Sequence, residues 1–278
     1  MSIKCKEFSV PLEPDFQNAA LHGMHRHPNT IRVFYDDTWK KKLRNGLVFF
    51  SGGNGLNIQT ELSPRVKYAI ELGYVFIDTM VYLENFPFRR NINFPSIEML
   101  GAAFEIPAYL KVIYQTVCFD PDIQPYFCSR SKVALLGHSR GAGALLSYAN
   151  LISQGSKQLQ TPFDHLIQTI ILHSPMGSGH GGYPAPDRTL RAAAHQLENL
   201  NIPITYVVAA GDLTHTSRPM MVYLYNMYIK NNPYILFKVI GDDRYTHNFV
   251  TDTKNQLFKS FLDLGKQSFK KKKISPSK

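Results

Sequence analysis

Short apolar runs of strand length alternate along the chain with longer amphipathic stretches. The runs are rich in Val, Ile, Leu and Phe, as is typical of strands buried on both faces of a sheet. Strands that alternate with helices form a mostly parallel sheet with helices packed on it. The pattern therefore predicts an α/β fold with a mostly parallel central sheet flanked by helices on both faces. The predicted strands cover residues 30–35, 46–50, 74–78, 132–136, 165–172, 203–210 and 234–240.

The stretches between these runs have the length and composition of helices. Pro64 suits the first position of a helix, and Pro107 is expected to kink or shorten the helix that contains it. The predicted helices cover residues 63–72, 96–118, 190–200, 219–230 and 254–264, and a further one follows residue 140 and ends near residue 154.

The alternation continues without an internal repeat or a linker, and 278 residues suffice for one large core. One domain is therefore predicted over residues 30–265. It follows a segment, residues 1–29, that is predicted to be irregular. Residues 266–278 form a basic tail that is predicted to be disordered. The segment 174–187 is short and rich in Gly and Pro, so no large helical lid is expected.

The most informative local motif is G-x-S-x-G, formed by Gly137, Ser139 and Gly141. An apolar run precedes it and a run of small, helix-compatible residues follows it. In this context the serine lies on a sharp turn between a strand and a helix, with its hydroxyl exposed at the sheet edge. The motif predicts that Ser139 is a nucleophile, whereas a plain glycine turn with a structural serine is the alternative.

Polar residues follow the later predicted strands as well. Asp212 comes shortly after the strand over 203–210, and His247 follows the strand over 234–240. The carboxyl ends of parallel strands meet at one edge of the sheet, where binding and chemistry gather. A serine hydroxyl needs a base to become nucleophilic, and the base needs a carboxylate that orients it. Ser139, His247 and Asp212 are therefore predicted to form a catalytic triad.

The chain order Ser139, Asp212, His247 resembles that of the α/β-hydrolases. The segment that ends in Asp212 looks like the acid strand of that family, and the residues around His247 look like its histidine loop. Within the family the chain is most similar to the compact esterases that resemble dienelactone hydrolase, chlorophyllase and platelet-activating-factor acetylhydrolase. The resemblance covers roughly residues 46–264.

The resemblance also implies an oxyanion hole made of two backbone N–H groups. One donor is expected from Arg140, the residue after the nucleophile. The other is expected from Gly53, with Asn54 as the second choice, because both lie in the glycine-rich turn after the strand over 46–50.

Several polar residues compete with these assignments. Asp242 and Asp243 are rivals of Asp212 for the acid, although they lie close in sequence to His247. In the family, a histidine at the position of His138 packs beside the turn and is not the base. His173 follows an apolar run and is a candidate for lining the substrate pocket.

These residues predict a serine hydrolase that cleaves a carboxylic ester through an acyl-enzyme, with a small ester or lipid as substrate. An acyltransferase with the same triad and a non-catalytic binding module on the same scaffold are the alternatives. No cofactor is expected, and no Cys/His spacing resembles a zinc site. Cys118 and Cys128 are expected to be free thiols, and a disulfide between them is the alternative.

The formal net charge of +10 is concentrated locally, with one cluster in Lys270–Lys273. The tail is expected to make at most weak contact with anionic membrane. Specific nucleic-acid binding is not expected, because no basic motif interleaved with aromatic residues is present. Without a signal-like segment or an apolar run long enough to span a bilayer, a cytoplasmic location is expected, with signal-independent export left open.

Overall fold

A computed structural model describes the chain over the following residues: 1–10, 30–39, 46–52, 60–80, 106–107, 109–126, 132–138, 141–142, 145–146, 148–149, 155, 161, 166–173, 202–209, 211, 226, 230 and 235–240. Within this part of the chain, none of the helices is long and apolar enough to cross a membrane.

The described strands form one eight-stranded sheet with the order β1-β2-β4-β3-β5-β6-β7-β8. Strand β2 runs antiparallel to both of its neighbours, β1 and β4, and all other neighbouring strands are parallel. The mostly parallel sheet predicted from the sequence is thus confirmed. The strands are β1 (Ile3–Ser9), β2 (Thr30–Asp36), β3 (Gly46–Ser51), β4 (Tyr74–Met80), β5 (Lys132–His138), β6 (Ile167–His173), β7 (Ile204–Ala209) and β8 (Ile235–Ile240).

Strand β1 corrects the prediction of an irregular N-terminal segment over residues 1–29. Ile3–Ser9 pairs with the whole of β2, from Ile3 opposite Asp36 to Ser9 opposite Thr30. Most of its side chains are only partly buried, as on an edge strand, and charged residues interrupt its apolar positions. Its sequence therefore lacks the continuous apolar run that identified the central strands. The other described residues of the segment are 1–2 and 10.

Helices cover both faces of the sheet, as predicted. Helix α1 (Pro64–Glu71) packs on one face, here called the α1 face, through Val66, Ala69 and Ile70. Helical residues in the ranges 106–115 and 141–149 pack on the opposite face and join the larger core cluster. The side chains of each strand alternate between the two cores, as the strand geometry requires.

The bounds of α1 follow from its sequence. Pro64 occupies the start of the helix, where the missing N–H costs nothing. Gly73 ends the helical region with a φ of 78°, a conformation that disfavours residues with a side chain. Its N–H donates a hydrogen bond of 2.8 Å to the carbonyl of Ile70. The chain then enters β4 directly, which places α1 against the strand that follows it.

A row of alternating charges crosses the α1 face. Glu7 lies opposite Arg32, and Arg32 lies opposite Asp78, in the register of β1, β2 and β4. The Nε of Arg32 donates a hydrogen bond of 2.8 Å to Glu7, and the row continues to Arg65 at the start of α1. Burial lowers the pKa of Arg65 to about 10, and the Asp78 carboxylate opposes this effect. Asp78 and Arg65 are 2% and 3% exposed, so the two opposite charges interact inside the core, where α1 packs on the sheet.

Replacing Asp78 by asparagine is expected to destabilise the fold by about 3–5 kcal/mol, because it removes the negative charge that faces the buried Arg65 guanidinium. Urea unfolding measures the change. The control is Asp37→Asn, because the Asp37 carboxylate lies 3.5 Å from the Lys4 ammonium in a surface ion pair. That variant is expected to lose less than about 1 kcal/mol. Equal losses in the two variants would contradict the role given to the buried pair.

Candidate active site

The carboxyl ends of β3, β5 and β6 lie side by side at one edge of the sheet. In the parallel register, Ser51 of β3 is the partner of Gly137 of β5, and His138 is the partner of His173 of β6. Strand β5 therefore ends between two neighbours, near the middle of the sheet. Strand β5 thus ends at the centre of this edge, which is where ligands bind in sheets of this kind.

Gly137, near the end of β5, lies against Ala142, five residues later in the chain. A Cβ added to Gly137 would lie 2.5 Å from the Cα and 2.6 Å from the N of Ala142. Gly141 and Ala142 are helical, and Ala142 is fully buried in the larger core. The end of strand β5 and the first described residues of the helix are thus in direct backbone contact. Only glycine permits so close an approach at residue 137.

Replacing Gly137 by alanine is expected to lower kcat for ester hydrolysis by about 10²-fold, because the added Cβ must displace the backbone that carries the predicted nucleophile. The control is Gly155→Ala, where the φ of 75° disfavours alanine but the added Cβ has no atom within 4 Å. That control is expected to lose stability and to retain kcat. Steady-state kinetics below the melting temperature of both variants separates the two effects, and an unchanged kcat in Gly137→Ala would contradict the prediction.

Two imidazole rings lie at the ends of β5 and β6. The rings of His138 and His173 are stacked, with centroids 4.7 Å apart and planes inclined by 19°. Both residues are almost completely buried, at 2% and 1% exposure. The burial of His173 differs from the expectation that it lines an open pocket. The burial of His138 agrees with the expectation that this residue packs beside the turn and is not the base.

The residues predicted to perform the chemistry lie outside the described residues. Ser139 directly follows the last residue of β5, and Arg140 directly precedes the described Gly141. Gly53 and its alternative Asn54 follow Gly52, which continues β3. The remaining predicted residues outside the described part are Asp212, His247, the rival acids Asp242 and Asp243, Cys128 and the basic tail.

The number of residues between the end of a strand and the predicted acid or base limits how far from that strand the acid or base can lie. Neighbouring strands are ~4.8 Å apart, so β5 lies ~10 Å from β7 and ~14 Å from β8. Asp212 comes three residues after Ala209, the last residue of β7, and three residues span up to ~10 Å. His247 comes seven residues after Ile240 of β8, which allows up to ~24 Å. The chain after β8 is therefore long enough for His247 to reach the end of β5, whereas Asp212 would need a fully extended chain to do so.

The two described cysteines are poor candidates for a nucleophile. Burial raises the pKa of Cys118 to about 12. The pKa of Cys5 is raised to about 11, mainly by burial and to a smaller extent by the negative charge of Glu61. Both thiols are free, as expected of Cys118, and both are protonated near neutral pH. Because the thiolate is the reactive form, neither residue competes with a serine for nucleophilic chemistry.

No sequence-family model and no curated protein sequence matches this chain. Solved structures match it over almost their whole length. A proposed dienelactone hydrolase from Klebsiella pneumoniae is 11% identical, with 97% of each chain covered and a TM-score of 0.57. A proposed carboxylesterase from Lactobacillus plantarum is 14% identical, with 95% of this chain and 99% of that chain covered and a TM-score of 0.59.

A third similar structure is esterase 2 of Thermogutta terrifontis, phosphorylated by paraoxon. It is 13% identical to this chain, with 99% of this chain and 96% of that chain covered and a TM-score of 0.57. The similarities agree with the resemblance noted from the sequence. The chain therefore has the α/β-hydrolase fold.

Proposed function

We propose that this chain is a serine hydrolase that cleaves carboxylic esters through Ser139, His247 and Asp212. The observation that carries the proposal is the backbone contact between Gly137 and Ala142. Ser139 lies between these two residues in the sequence, so the contact supports a tight turn from strand to helix around it. This is the context in which G-x-S-x-G presents a nucleophile in the α/β-hydrolase fold.

The reaction assigns one role to each residue of the triad. The Oγ of Ser139 attacks the ester carbonyl carbon while His247 takes the hydroxyl proton. The tetrahedral intermediate collapses to an acyl-enzyme, and the proton passes from His247 to the departing alkoxide. Water, deprotonated by His247, then attacks the acyl carbon and releases the acid and the free serine. Asp212 keeps the imidazole in the tautomer that accepts the proton and stabilises the imidazolium.

The parallel pairing of β3 and β5 supports the proposed oxyanion hole. Ser51 and Gly137 are register partners, so the chain that continues from Gly52 to Gly53 starts beside the turn that carries Ser139 and Arg140. Backbone N–H groups of Gly53 and Arg140 can then approach the carbonyl oxygen from two directions. Such donors stabilise the oxygen where negative charge develops in the transition state, and removing one typically costs 10²–10³-fold in kcat.

The proposed substrate is a small ester or lipid. The sequence between residues 174 and 187 is too short and too rich in Gly and Pro for a large helical lid, so no lid-gated lipase is proposed. Esterase 2 of Thermogutta terrifontis is phosphorylated by paraoxon, an organophosphate. A similar electrophile is therefore a suitable probe of Ser139.

Hydrolysis of p-nitrophenyl acetate, butyrate and octanoate by the purified full-length chain tests the proposal. We expect saturable release of p-nitrophenol from at least one of the three esters. Analysis of the acyl product with added methanol separates the alternatives, since a hydrolase in water yields mainly the acid. Predominant methyl ester would indicate an acyltransferase. A folded chain without turnover of any of the three esters would contradict the proposal.

A further inference from the structure

The two stacked histidines lie at the ends of β5 and β6, and one of them directly precedes the proposed nucleophile in the chain. His138 is the last residue of β5, and Ser139 is the next residue in the chain. His173 is the last residue of β6 and the direct register partner of His138. The stacked rings thus connect the end of β5, which directly precedes Ser139 in the chain, to the neighbouring strand β6.

The end of β5 is restrained on both faces of the sheet. Side chains alternate along a strand, so Gly137 and His138 face opposite sides. Gly137 faces the larger core, where its backbone contacts Ala142 of the following helix. His138 continues the positions of Ala134 and Leu136 on the α1 face, where its ring stacks on His173. The helix contact and the ring stack therefore act on consecutive residues from opposite sides.

A metal site does not account for the pair. Zinc binds imidazole nitrogens whose lone pairs converge on it at about 2.0–2.1 Å. The two rings are inclined by only 19°, so their in-plane lone pairs run side by side and do not meet at one point. Moreover, the described residues contain no group of three or more side chains suited to bind a metal ion.

A role as the catalytic base does not account for the pair either. A base must present a ring nitrogen to the hydroxyl of the nucleophile and then to the leaving alcohol. His138 and His173 are 2% and 1% exposed, so the two residues present almost no surface to a substrate. The geometry instead favours a role in packing that acts on the backbone of β5.

We propose that His173 is a positioning residue for Ser139. Its ring stacks on His138 and fixes the end of β5 on the face opposite to the contact between Gly137 and Ala142. The inference rests on the proposed function, because it concerns the alignment of that nucleophile. A displacement of about 1 Å in such a group can cost 10²-fold in rate without any lost contact to substrate.

Three variants of His173 test this role. His173→Ala removes the ring, and kcat for p-nitrophenyl butyrate is expected to fall by about 10²-fold. KM is expected to change little, because substrate binding is not altered. His173→Leu fills most of the volume without a flat ring, and its kcat is expected to fall as in His173→Ala. If the alanine variant does not fold, the leucine variant is measured in its place. His173→Phe restores a flat ring that can stack, so its kcat is expected to stay near that of the parent.

Ile171→Ala is the matched control. Ile171 is fully buried on the same strand and the same face, two residues before His173. The control is expected to lower the melting temperature and to leave kcat unchanged in the folded protein. The rate at which a fluorophosphonate labels Ser139 is a second readout, and it is expected to fall in His173→Ala as kcat does.

Two results would overturn the positioning role. The first is a folded His173→Ala or His173→Leu variant with the kcat of the parent. The second is a His173→Phe variant as impaired as His173→Ala, since the loss would then follow from the imidazole nitrogens. Both presuppose an active parent chain. A parent with neither turnover nor labelling contradicts the proposed function itself and removes the inference with it.

Discussion

Replacing Ser139 by alanine is expected to reduce the hydrolysis of p-nitrophenyl butyrate to the background rate while the fold stays intact. The physical reason is that the variant lacks the oxygen that forms the acyl-enzyme. Ser139 directly follows β5 in the sequence, and Gly137 and Ala142 on either side of it are in backbone contact, so we expect the substitution to remove only the hydroxyl and to leave the fold unchanged. Initial rates over a range of substrate concentrations measure the effect, and circular dichroism with thermal melting checks the fold.

The control for this prediction is Ser9→Ala. Ser9 is an exposed residue at the end of the edge strand β1, far along the sheet from β5. Its replacement is expected to retain the kcat and KM of the parent. If Ser139→Ala hydrolyses the ester as fast as Ser9→Ala, then Ser139 is not the nucleophile.

Replacing His247 by alanine, or Asp212 by asparagine, is expected to lower kcat by at least ~10³-fold. The double variant is expected to be little worse than His247→Ala, because the members of a triad act as a unit and their losses do not add. The physical reason is that the carboxylate contributes only through the orientation and charge of the imidazole. Steady-state kinetics of the two single variants and the double variant measures this coupling.

The rival acids provide the controls for Asp212. Asp242→Asn and Asp243→Asn are expected to retain most of the kcat of the parent. Both residues follow β8, which is the strand farther from β5, whereas Asp212 follows β7. Full activity in Asp212→Asn together with loss in either rival would show that the acid comes from the end of β8.

The central strands could be predicted because each is an apolar run buried on both faces. Strand β5, for example, was predicted over residues 132–136 and extends to His138, since its last two residues also pair with β6. Helix α1 is predicted over residues 63–72, with Pro64 in its first turn, and the observed bounds agree within one residue at each end. Strand β1 was missed because it lies at the edge and pairs on only one side.

Part of the candidate site could be predicted because the motif is local. The strand before Ser139 and the helix after it are confirmed, whereas the convergence of Asp212 and His247 on Ser139 stays a prediction. The stack of His138 on His173 and the charge pair of Asp78 with Arg65 could not be predicted. Both depend on the register of neighbouring strands or on the packing of a helix across the sheet, and neither leaves a pattern along the chain.

The central claim is that Ser139 is an activated nucleophile, and covalent labelling by a fluorophosphonate tests it most directly. The full-length chain is treated with the probe, digested and analysed by mass spectrometry, with Ser139→Ala and heat-unfolded protein as controls. We expect labelling of the folded parent at Ser139, loss of parent esterase activity in proportion to labelling, and no labelling of either control. A parent chain that hydrolyses esters but is unlabelled at Ser139, or is labelled at another serine, would contradict the claim.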